Sequence, residues 1–394
     1  VYKRQDLERP LKNRDAPMPA STTPRRVAIV DGLRTPFAKS GTVFRDLSTL
    51  DLSSTLISEL LARSGLEGKQ VDRVVYGSVV QDVAAPNIAR EIVLAGPFPE
   101  QVDAYSVTRA CATSTQTVVN GAQAIMLGEA DIVIAGGADS LSKPPITYSD
   151  TFVDALMRSN AAKDLPSKAR AFSRIRPRDL APVPPAIAER STGETMGDSA
   201  EKMAKENGIS REAQDAFAIR SHTKAVEAWE AGIFDDEDMP FPLPSTYRDV
   251  VERDTIPRSD STAEKLATLR PVFDRKYGSV TAAKASPLTD GASAVILMAE
   301  ETARALGYEP RAFIVSYGFA ALDPNWQLLM GPSFATPIAL DRAGMTLGDI
   351  DVVDMHEAFA AQILSNTQAF ASLEFAEQYL GRNEAIGEIV EDTF

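Results

Sequence analysis

Apolar residues in the first third of the chain alternate between strand-like and helix-like spacing. Short apolar runs at 26–31, 71–77 and 131–137 predict buried strands, and leucines at helical spacing predict a helix over 50–64. Strands alternating with a helix in this way predict βαβ units, which place their strands in a parallel sheet. The pattern therefore predicts an α/β fold.

One sequence block occurs twice, with a constant offset of 279 residues. Residues 62–66 with 72–76 match residues 341–345 with 351–355. Each copy contains the end of a helix, a glycine and an apolar run that predicts a strand, and an opening strand at 311–316 belongs to the second copy. The repeat predicts two similar halves, each a layered α/β unit.

The second half is predicted to be incomplete. A helical stretch follows its strand at 350–355, but the counterparts of the segment around Cys111 and of the strand at 131–137 do not appear before Phe394. Because a duplicated fold must close its second core, we expect further residues after Phe394 and a C-terminally truncated second half.

Composition divides the chain further. Residues 1–25 are polar, with charges and prolines but no periodicity, so we expect a disordered or foreign segment. We place the N-terminal half at 26–300 and the C-terminal half at 301–394. Within the first half, residues of about 141–260 are rich in Pro, Arg, Asp and Ser, which predicts an inserted loop domain over one face of the core.

The charge balance excludes one class of function. The chain has 41 Lys and Arg against 55 Asp and Glu, a net charge of −14, which argues against a nucleic-acid partner. A single cysteine excludes an internal disulfide framework and a cysteine-rich zinc site. No apolar run approaches the length of a membrane span and no signal-peptide core follows the N-terminus, so we expect a cytoplasmic protein.

One segment departs from this acidic balance. Residues 158–178 contain seven basic residues and one acidic residue. The segment is either a solvated loop or a binding surface for a phosphorylated substrate, an anionic membrane or an acidic partner.

Cys111 follows an alternating stretch at 104–107 and opens a segment of small residues that predicts a helix to Leu127. A thiol at a helix N-terminus feels the positive end of the helix dipole, which favours the reactive thiolate. A lone cysteine also occurs as a small buried hydrophobe, so its residue type and position alone leave both interpretations open.

The chain contains two histidines. His356 follows the predicted strand at 350–355, and the carboxyl end of a parallel strand is where α/β folds place function, although a structural histidine fits equally. His222 lies among charged neighbours and is predicted at the surface. One cysteine and two distant histidines do not form a metal site, and no phosphate loop or dinucleotide motif occurs, so no cofactor is expected.

The segment around Cys111, Val107-Thr-Arg-Ala-Cys-Ala-Thr-Ser-Thr-Gln, resembles the nucleophile segment of the thiolases. Further similar segments follow in the family's order from about residue 26 to 394: Arg34-Thr-Pro-Phe, Ala135-Gly-Gly-Ala-Asp-Ser-Leu-Ser, Glu194-Thr-Met-Gly-Asp-Ser-Ala, Gly278-Ser-Val-Thr-Ala-Ala, Leu288-Thr-Asp-Gly-Ala-Ser and Asp354-Met-His-Glu-Ala-Phe. Within the family, His-Glu-Ala-Phe resembles the β subunit of the fatty-acid oxidation trifunctional complex.

The resemblance implies a duplicated, layered α/β/α/β/α fold with a loop domain over the active site. It implies a 3-ketoacyl-CoA thiolase of fatty-acid β-oxidation that is a homodimer and uses CoA as a substrate. A hydratase/dehydrogenase α subunit is an expected partner. Contact of the basic segment with a membrane, with that subunit or with the phosphates of CoA is compatible with the sequence.

The resemblance also assigns roles to residues of this chain. Cys111 aligns with the nucleophile that carries the acyl group, and His356 with a residue of the oxyanion pocket. Ser286 aligns with the serine that contacts pantetheine, and Met196 and Phe359 align with residues that line the same channel.

Three departures from the family pattern are present. The family's Gly-His-Pro loop, whose histidine takes the proton of the nucleophile, is absent, and so is its Cys-x-Gly-Gly loop, whose cysteine is the acid/base for the leaving acetyl unit. We expect both after Phe394, and we expect the printed chain to be inactive. Lys284 occupies a position that is usually Asn, where its cation either helps to bind substrate or distorts the loop.

Two other functions share this fold. A ketosynthase-type condensing enzyme also uses a cysteine, but it usually carries two catalytic histidines in a pattern that Met355-His-Glu-Ala-Phe does not match. A non-catalytic thiolase-like carrier of lipid or acyl-CoA would need no base beside its cysteine.

Overall fold

The structure is a computed structural model that describes residues 24–183, 188–244, 247–390 and 393–394. The strands are β1 Val27–Arg34, β2 Ala38–Lys39, β3 Arg73–Gly77, β4 Asp103–Val107, β5 Ile132–Ser140, β6 Phe241–Pro242, β7 Val250–Val251, β8 Thr289–Ala299 and β9 Ala312–Phe313. The α-helices are α1 Thr49–Ser64, α2 Ile88–Ala95, α3 Thr113–Met126, α4 Asp150–Ala161, α5 Leu165–Ala171, α6 Met196–Glu206, α7 Arg211–Glu230, α8 Ala263–Ala267, α9 Glu300–Leu306, α10 Gly331–Ala343, α11 Ala360–Ala371 and α12 Leu373–Phe375.

A seven-stranded sheet forms the centre of the molecule. Its strand order is β4-β3-β5-β8-β1-β9, and β2 pairs with β8. The strands β4, β3 and β5 run parallel, which confirms the βαβ prediction. The strand β8 is antiparallel to both β5 and β1, so the sheet as a whole is mixed.

Helices cover both faces of this sheet. On one face, α1 buries Leu52 and Leu56 completely against the strands, and α2 packs beside it. A capping box between Ser48 and Asp51 starts α1, and Gly65 ends it in the left-handed conformation (φ 69°). On the other face, α3 packs against β5 and β8. These layers agree with the predicted α/β fold class.

The chain between β5 and β8, residues 141–288, is here called the intervening segment. Its described part contains α4 to α8 and the two-stranded sheet of β6 and β7, all outside the main sheet. The predicted loop domain at about 141–260 falls within this segment, and its boundaries stay a prediction.

The first part of the predicted repeat is present in the structure. Gly344 ends α10 in the left-handed conformation (φ 67°), as Gly65 ends α1. A single 3-10 turn follows each glycine, Gly68–Gln70 in the first copy and Leu347–Asp349 in the second. The helix end, the glycine and the turn therefore repeat at the offset found in the sequence.

The strands predicted for the second copy are largely wrong. Residues 350–355 form no strand, and the predicted strand at 311–316 is reduced to Ala312–Phe313. A strand needs the backbone of a neighbour, and no strand lies beside 350–355 in the described ranges. Val352 is instead 75% exposed, and the N–H of Val353 donates to Thr393 O at 2.7 Å.

The predicted disorder of residues 1–25 falls mostly on residues 1–23, which lie outside the described residues. The disordered or foreign nature of residues 1–25 stays a prediction. At the end of this segment, the guanidinium of Arg25 pairs with Asp131, just before β5, at 2.9 Å and with Glu301 of α9 at 2.5 Å.

A cluster of charges around Arg34 joins β1 to the intervening segment. The guanidinium lies 3.0 Å from Glu237, 3.1 Å from Asp238 and 2.9 Å from Asp254. Backbone hydrogen bonds reinforce the contact between β1 and the intervening segment, since Arg34 N donates to Glu237 O and Met239 N donates to Arg34 O. Burial raises the pKa of Asp238 to about 7, because the attraction of Arg34 offsets it only in part and Asp254 adds repulsion.

We expect the Asp238 carboxyl to make folding stability depend on pH. Because its pKa rises from 3.8 to about 7 on folding, its stabilising contribution is complete below about pH 4 and is lost as pH rises through 7. The substitution Asp238→Asn removes this dependence, so the variant gains stability relative to the wild type between pH 5 and pH 8. Thermal unfolding at pH 5 and at pH 8 measures the difference in stability between the variant and the wild type. Asp236→Asn, at an exposed neighbouring carboxylate, is the control. Equal pH dependence in the two variants would contradict the assignment.

Candidate active site

The carboxyl ends of the parallel strands meet at one edge of the sheet. The strands β3, β4 and β5 end there at Gly77, Val107 and Ser140. Because Asp290 of the antiparallel β8 lies opposite Ser140, the residues just before β8 reach the same edge. The segment after β4, which carries Cys111, and the segment before β8, which carries Ser286, therefore share this edge.

Cys111 lies in a tight turn between β4 and α3. Ala110 adopts a left-handed conformation (φ 43°), which is uncommon for a residue with a Cβ. The hydroxyl of Thr113 holds the turn, because it accepts from Arg109 N at 2.8 Å and donates to Ala110 O at 2.7 Å. The side chain of Cys111 is exposed, which rules out a buried small hydrophobe.

Two glycines let the first turn of α3 approach the sheet edge. A Cβ on Gly77 would lie 2.2 Å from Thr113 Cγ2 and 2.6 Å from Val107 O. A Cβ on Gly137 would lie 2.5 Å from Ser114 Oγ. The close contact at Gly77 includes backbone that cannot move aside, so the position of the Cys111 turn depends on glycine there, whereas Ser114 Oγ can rotate away from a Cβ at Gly137.

The activation of the thiol that was expected from the helix dipole stays a prediction, and the described surroundings of Cys111 act against it. The helix begins at Thr113, not at Cys111, and burial by the surrounding protein atoms raises the pKa of Cys111 although part of the side chain reaches solvent. The carboxylate of Asp139, which accepts from Val79 N and Val80 N, raises it further. The Cys111 thiol is therefore neutral at pH 7 and needs a base to become a nucleophile.

A cavity of about 270 Å³ opens beside the second group of predicted site residues. His356 and Ser286 both line it. Backbone pairing brings them together, since Ser286 N donates to Ala358 O at 2.9 Å and Ala360 N donates to Lys284 O at 3.0 Å. This short ladder, residues 284–286 with 358–360, is here called the site ladder.

Met196 and Phe359 lie behind the site ladder. Phe359 is buried, its ring meets Phe273 edge-on at 6.0 Å, and Met196 packs against the same apolar cluster. Neither residue lines the cavity. Their packing supports the ladder from the side opposite to the cavity.

Cys111 does not line this cavity in the described structure. Along the sheet edge, β4 and β8 are separated by β3 and β5. Three strand spacings amount to about 14 Å. The structure thus places the thiol and the Ser286–His356 pair at one edge but not in contact, and the roles assigned to the five residues stay predictions.

Sequence reasoning misplaced His222. The residue lines the cavity together with His356, and burial, followed by the charge of Arg258, lowers its pKa. The spacing of residues along α7 already indicated this position in the sequence. Five residues at helical spacing form one face of α7 along the cavity: Phe217, Ala218, Ser221, His222 and Ala225.

The described residues contain no group of three His, Cys, Asp or Glu side chains that could hold a metal ion. The predicted absence of a cofactor stays a prediction. The basic segment 158–178 lies on α4, α5 and the following turn, and none of its residues lines the cavity.

Two family models match nearly the whole described chain. The thiolase N-terminal domain matches residues 27–301 and the thiolase C-terminal domain matches residues 308–386. The chain belongs to the thiolase family. These matches do not support the predicted truncation of the second half, and they do not test the predicted inactivity.

Curated thiolases are similar over most of the chain. The 3-ketoacyl-CoA thiolase of Shewanella halifaxensis is 56% identical over 364 residues, which are 92% of this chain and 83% of that protein. The 3-ketoacyl-CoA thiolase of Yersinia pestis is 54% identical with the same coverage.

Solved thiolase structures have the same fold. The acetyl-CoA acetyltransferase of Bacillus anthracis aligns with a TM-score of 0.77 and 32% identity, over 93% of this chain and 88% of that one. Human mitochondrial 3-ketoacyl-CoA thiolase in complex with CoA aligns with a TM-score of 0.76 and 31% identity, over 87% and 82% of the two chains. The predicted thiolase-like fold class is confirmed.

We expect the reactivity of Cys111 to report its surroundings. Because it is the only cysteine, its alkylation by iodoacetamide as a function of pH gives its apparent pKa directly. The wild type should titrate above the value of about 8.5 for a free cysteine. The substitution Asp139→Asn removes a repelling charge and should lower the apparent pKa, whereas Asp351→Asn at an exposed carboxylate should not. An unchanged profile for Asp139→Asn would refute the electrostatic part of this account.

Proposed function

We propose that this thiolase is a 3-ketoacyl-CoA thiolase, an acetyl-CoA C-acyltransferase of fatty-acid β-oxidation. It cleaves a 3-ketoacyl-CoA with CoA to acetyl-CoA and a shortened acyl-CoA. The observation that carries the proposal is the exposed Cys111 in its strained turn, at the sheet edge that it shares with Ser286 and His356. The similarity to curated 3-ketoacyl-CoA thiolases supports it.

The reaction has two halves. In the first, a base takes the Cys111 proton and the thiolate attacks the keto carbon of the substrate. The bond between that carbon and the acetyl unit breaks, its electron pair forms the enolate of acetyl-CoA, and the enolate takes up a proton. In the second, the thiol of CoA loses its proton and attacks the acyl-cysteine, which releases the shortened acyl-CoA and restores Cys111.

The cavity residues have separate roles in this proposal. His356 donates a hydrogen bond to the thioester oxygen where the negative charge of the enolate develops. Ser286 contacts the pantetheine arm, which runs along the sheet edge from the cavity toward Cys111. Met196 and Phe359 shape the channel from behind, since they hold the site ladder in place.

We expect 3-ketoacyl-CoA to leave an acyl group on Cys111 in a protein that also contains the family's Gly-His-Pro and Cys-x-Gly-Gly loops. Intact-mass and peptide mass spectrometry after incubation without CoA should find one acyl adduct, which added CoA removes. The substitution Cys111→Ser should abolish the adduct, and His356→Ala should slow its formation by ~10²–10³-fold, the usual cost of losing an oxyanion donor.

The same measurement separates the alternatives. An adduct formed from an acyl-carrier-protein thioester but not from acyl-CoA would support a ketosynthase-type enzyme. Tight binding of acyl-CoA with no adduct and no turnover would support a non-catalytic carrier. Full turnover by Cys111→Ser would disprove the proposed nucleophile.

We propose that the hairpin of α4 and α5 binds an anionic membrane surface. Ala155 is the only residue of α4 that is buried, and none of α5 is. Met157 is 65% exposed and Leu165 is 81% exposed. All seven basic residues of the segment are exposed: Arg158, Lys163, Lys168, Arg170, Arg174, Arg176 and Arg178. Exposed apolar side chains beside exposed cations match the chemistry of a lipid interface better than that of a free phosphate.

Among the described residues, no helix has the length and apolarity needed to cross a bilayer.

We expect the protein to co-sediment with vesicles of phosphatidylcholine and phosphatidylglycerol but not with phosphatidylcholine alone. Each basic residue near an anionic surface contributes ~1 kcal/mol, so the double substitution Lys168→Glu/Arg170→Glu should weaken binding by at least about 30-fold. Arg275→Glu/Lys276→Glu makes the same charge change at another exposed site and is the matched control. Equal loss in both variants, or no vesicle binding by the wild type, would rule out this surface.

Further partners follow from the family resemblance. We propose a homodimer, which is supported by β4, an edge strand that pairs only with β3 among the described strands and that sedimentation velocity can test. A hydratase/dehydrogenase subunit as partner and a cytoplasmic location stay predictions.

A further inference from the structure

Lys284 has a fully buried side chain next to the candidate site. Its ammonium lies 3.1 Å from Asp215 Oδ1 and donates to Arg211 O at 3.0 Å and to Ser279 O at 3.1 Å. Burial lowers the pKa of this ammonium and the Asp215 carboxylate opposes the shift. The side chain therefore points into the protein and does not supply a cation to the cavity.

Two of these partners of Lys284, Arg211 and Asp215, belong to the first turns of α7. Asp215 also lies 3.6 Å from the guanidinium of Arg211, which donates to the carbonyls of Leu266, Ala267 and Leu269 at the end of α8. The Lys284 ammonium is thus anchored in a network that fixes the start of α7. One face of the same helix forms the cavity wall that contains His222.

The main chain of Lys284 belongs to the opposite wall. Its carbonyl accepts the N–H of Ala360, and two residues later Ser286 N donates to Ala358 O. Ala358 N in turn donates to His356 O at 3.0 Å. The backbone of Lys284 is therefore connected through the site ladder to both predicted contact residues, Ser286 and His356.

We infer that Lys284 is a positioning residue, whose ion pair with Asp215 fixes the site ladder against α7 and thereby sets the placement of Ser286 and His356. The effect of this positioning on CoA binding rests on the proposed function, whereas the positioning of the site ladder does not. The position where the family usually has Asn carries in this chain a longer side chain that reaches the neighbouring helix.

A second polar contact joins the same walls, because the hydroxyl of Ser221 on α7 donates to the carboxylate of Glu357. This contact is part-buried, whereas the Lys284 ammonium has no access to water. Removing the Asp215 carboxylate leaves the buried Lys284 ammonium without solvent or counterion, so the structure must move to solvate it, whereas without Lys284 the Asp215 carboxylate keeps Arg211 at 3.6 Å. The Ser221 contact therefore does not replace the Lys284 pair.

The test combines hydrogen exchange with CoA binding. We expect Lys284→Met and Asp215→Asn to lose exchange protection at the amides of Ser286 and Ala360 by about tenfold or more. We expect the affinity for CoA, measured by calorimetry, to fall by ~10–100-fold, by analogy with the loss that follows when contacts that orient metal ligands are removed. Lys284→Arg keeps the ion pair and should retain most of the exchange protection and most of the affinity for CoA. Lys69→Met removes an exposed ion pair and is the matched control.

The two readouts separate the two claims. Unchanged protection of Ser286 and Ala360 in both Lys284→Met and Asp215→Asn would overturn the positioning role, whatever the affinity for CoA. If the wild type binds no CoA, the proposed function fails, and the exchange data still decide the positioning role. If Lys284→Met does not fold, Asp215→Asn provides the same comparison. For an active preparation, loss of position predicts a rise in KM for CoA that exceeds the fall in kcat.

Discussion

Nine residues of β5 pair in antiparallel register with β8, from Ile132 opposite Met298 to Ser140 opposite Asp290. This pairing joins strands separated by the whole intervening segment, and it returns the chain to the edge where β3, β4 and β5 end. The side chain of Asp290 continues the contact between the two strands beyond the end of β5, since its carboxylate accepts the N–H of Ser142 at 2.8 Å. Without this register, Ser286 and Cys111 would not share an edge.

Two cations then fix the intervening segment. The part-buried Arg34 of β1 binds it through Asp238 and Asp254, and the buried Lys284, near the end of the segment itself, binds the start of α7 through Asp215. Asp254 also lines the cavity, so the Arg34 cluster and the cavity wall are continuous. Buried pairs of this kind add little net stability over apolar packing, but they specify one arrangement, because any other leaves a charge unpaired.

Local signals predicted the first half well. The strands β3 and β5, the helix α1 and the glycine stops follow from short-range periodicity, and the motif around Cys111 gave the family. The strand at 350–355 failed because an apolar run forms a strand only beside a partner. His222 and the raised pKa of Cys111 were missed since both depend on what tertiary packing places nearby, in particular the cavity wall of α7 and the carboxylate of Asp139. The buried role of Lys284 was likewise invisible before Asp215 was placed next to it.

The protonated state of the resting thiol has a consequence beyond acyl transfer. Peroxides oxidise thiolates far more readily than thiols, and a sulfenic acid on Cys111 would have no second cysteine in these 394 residues with which to form a protective disulfide. A sulfur that stays protonated at rest is therefore shielded from oxidative damage. The carboxylate of Asp139, which makes the resting sulfur less nucleophilic, thereby also lengthens its chemical lifetime.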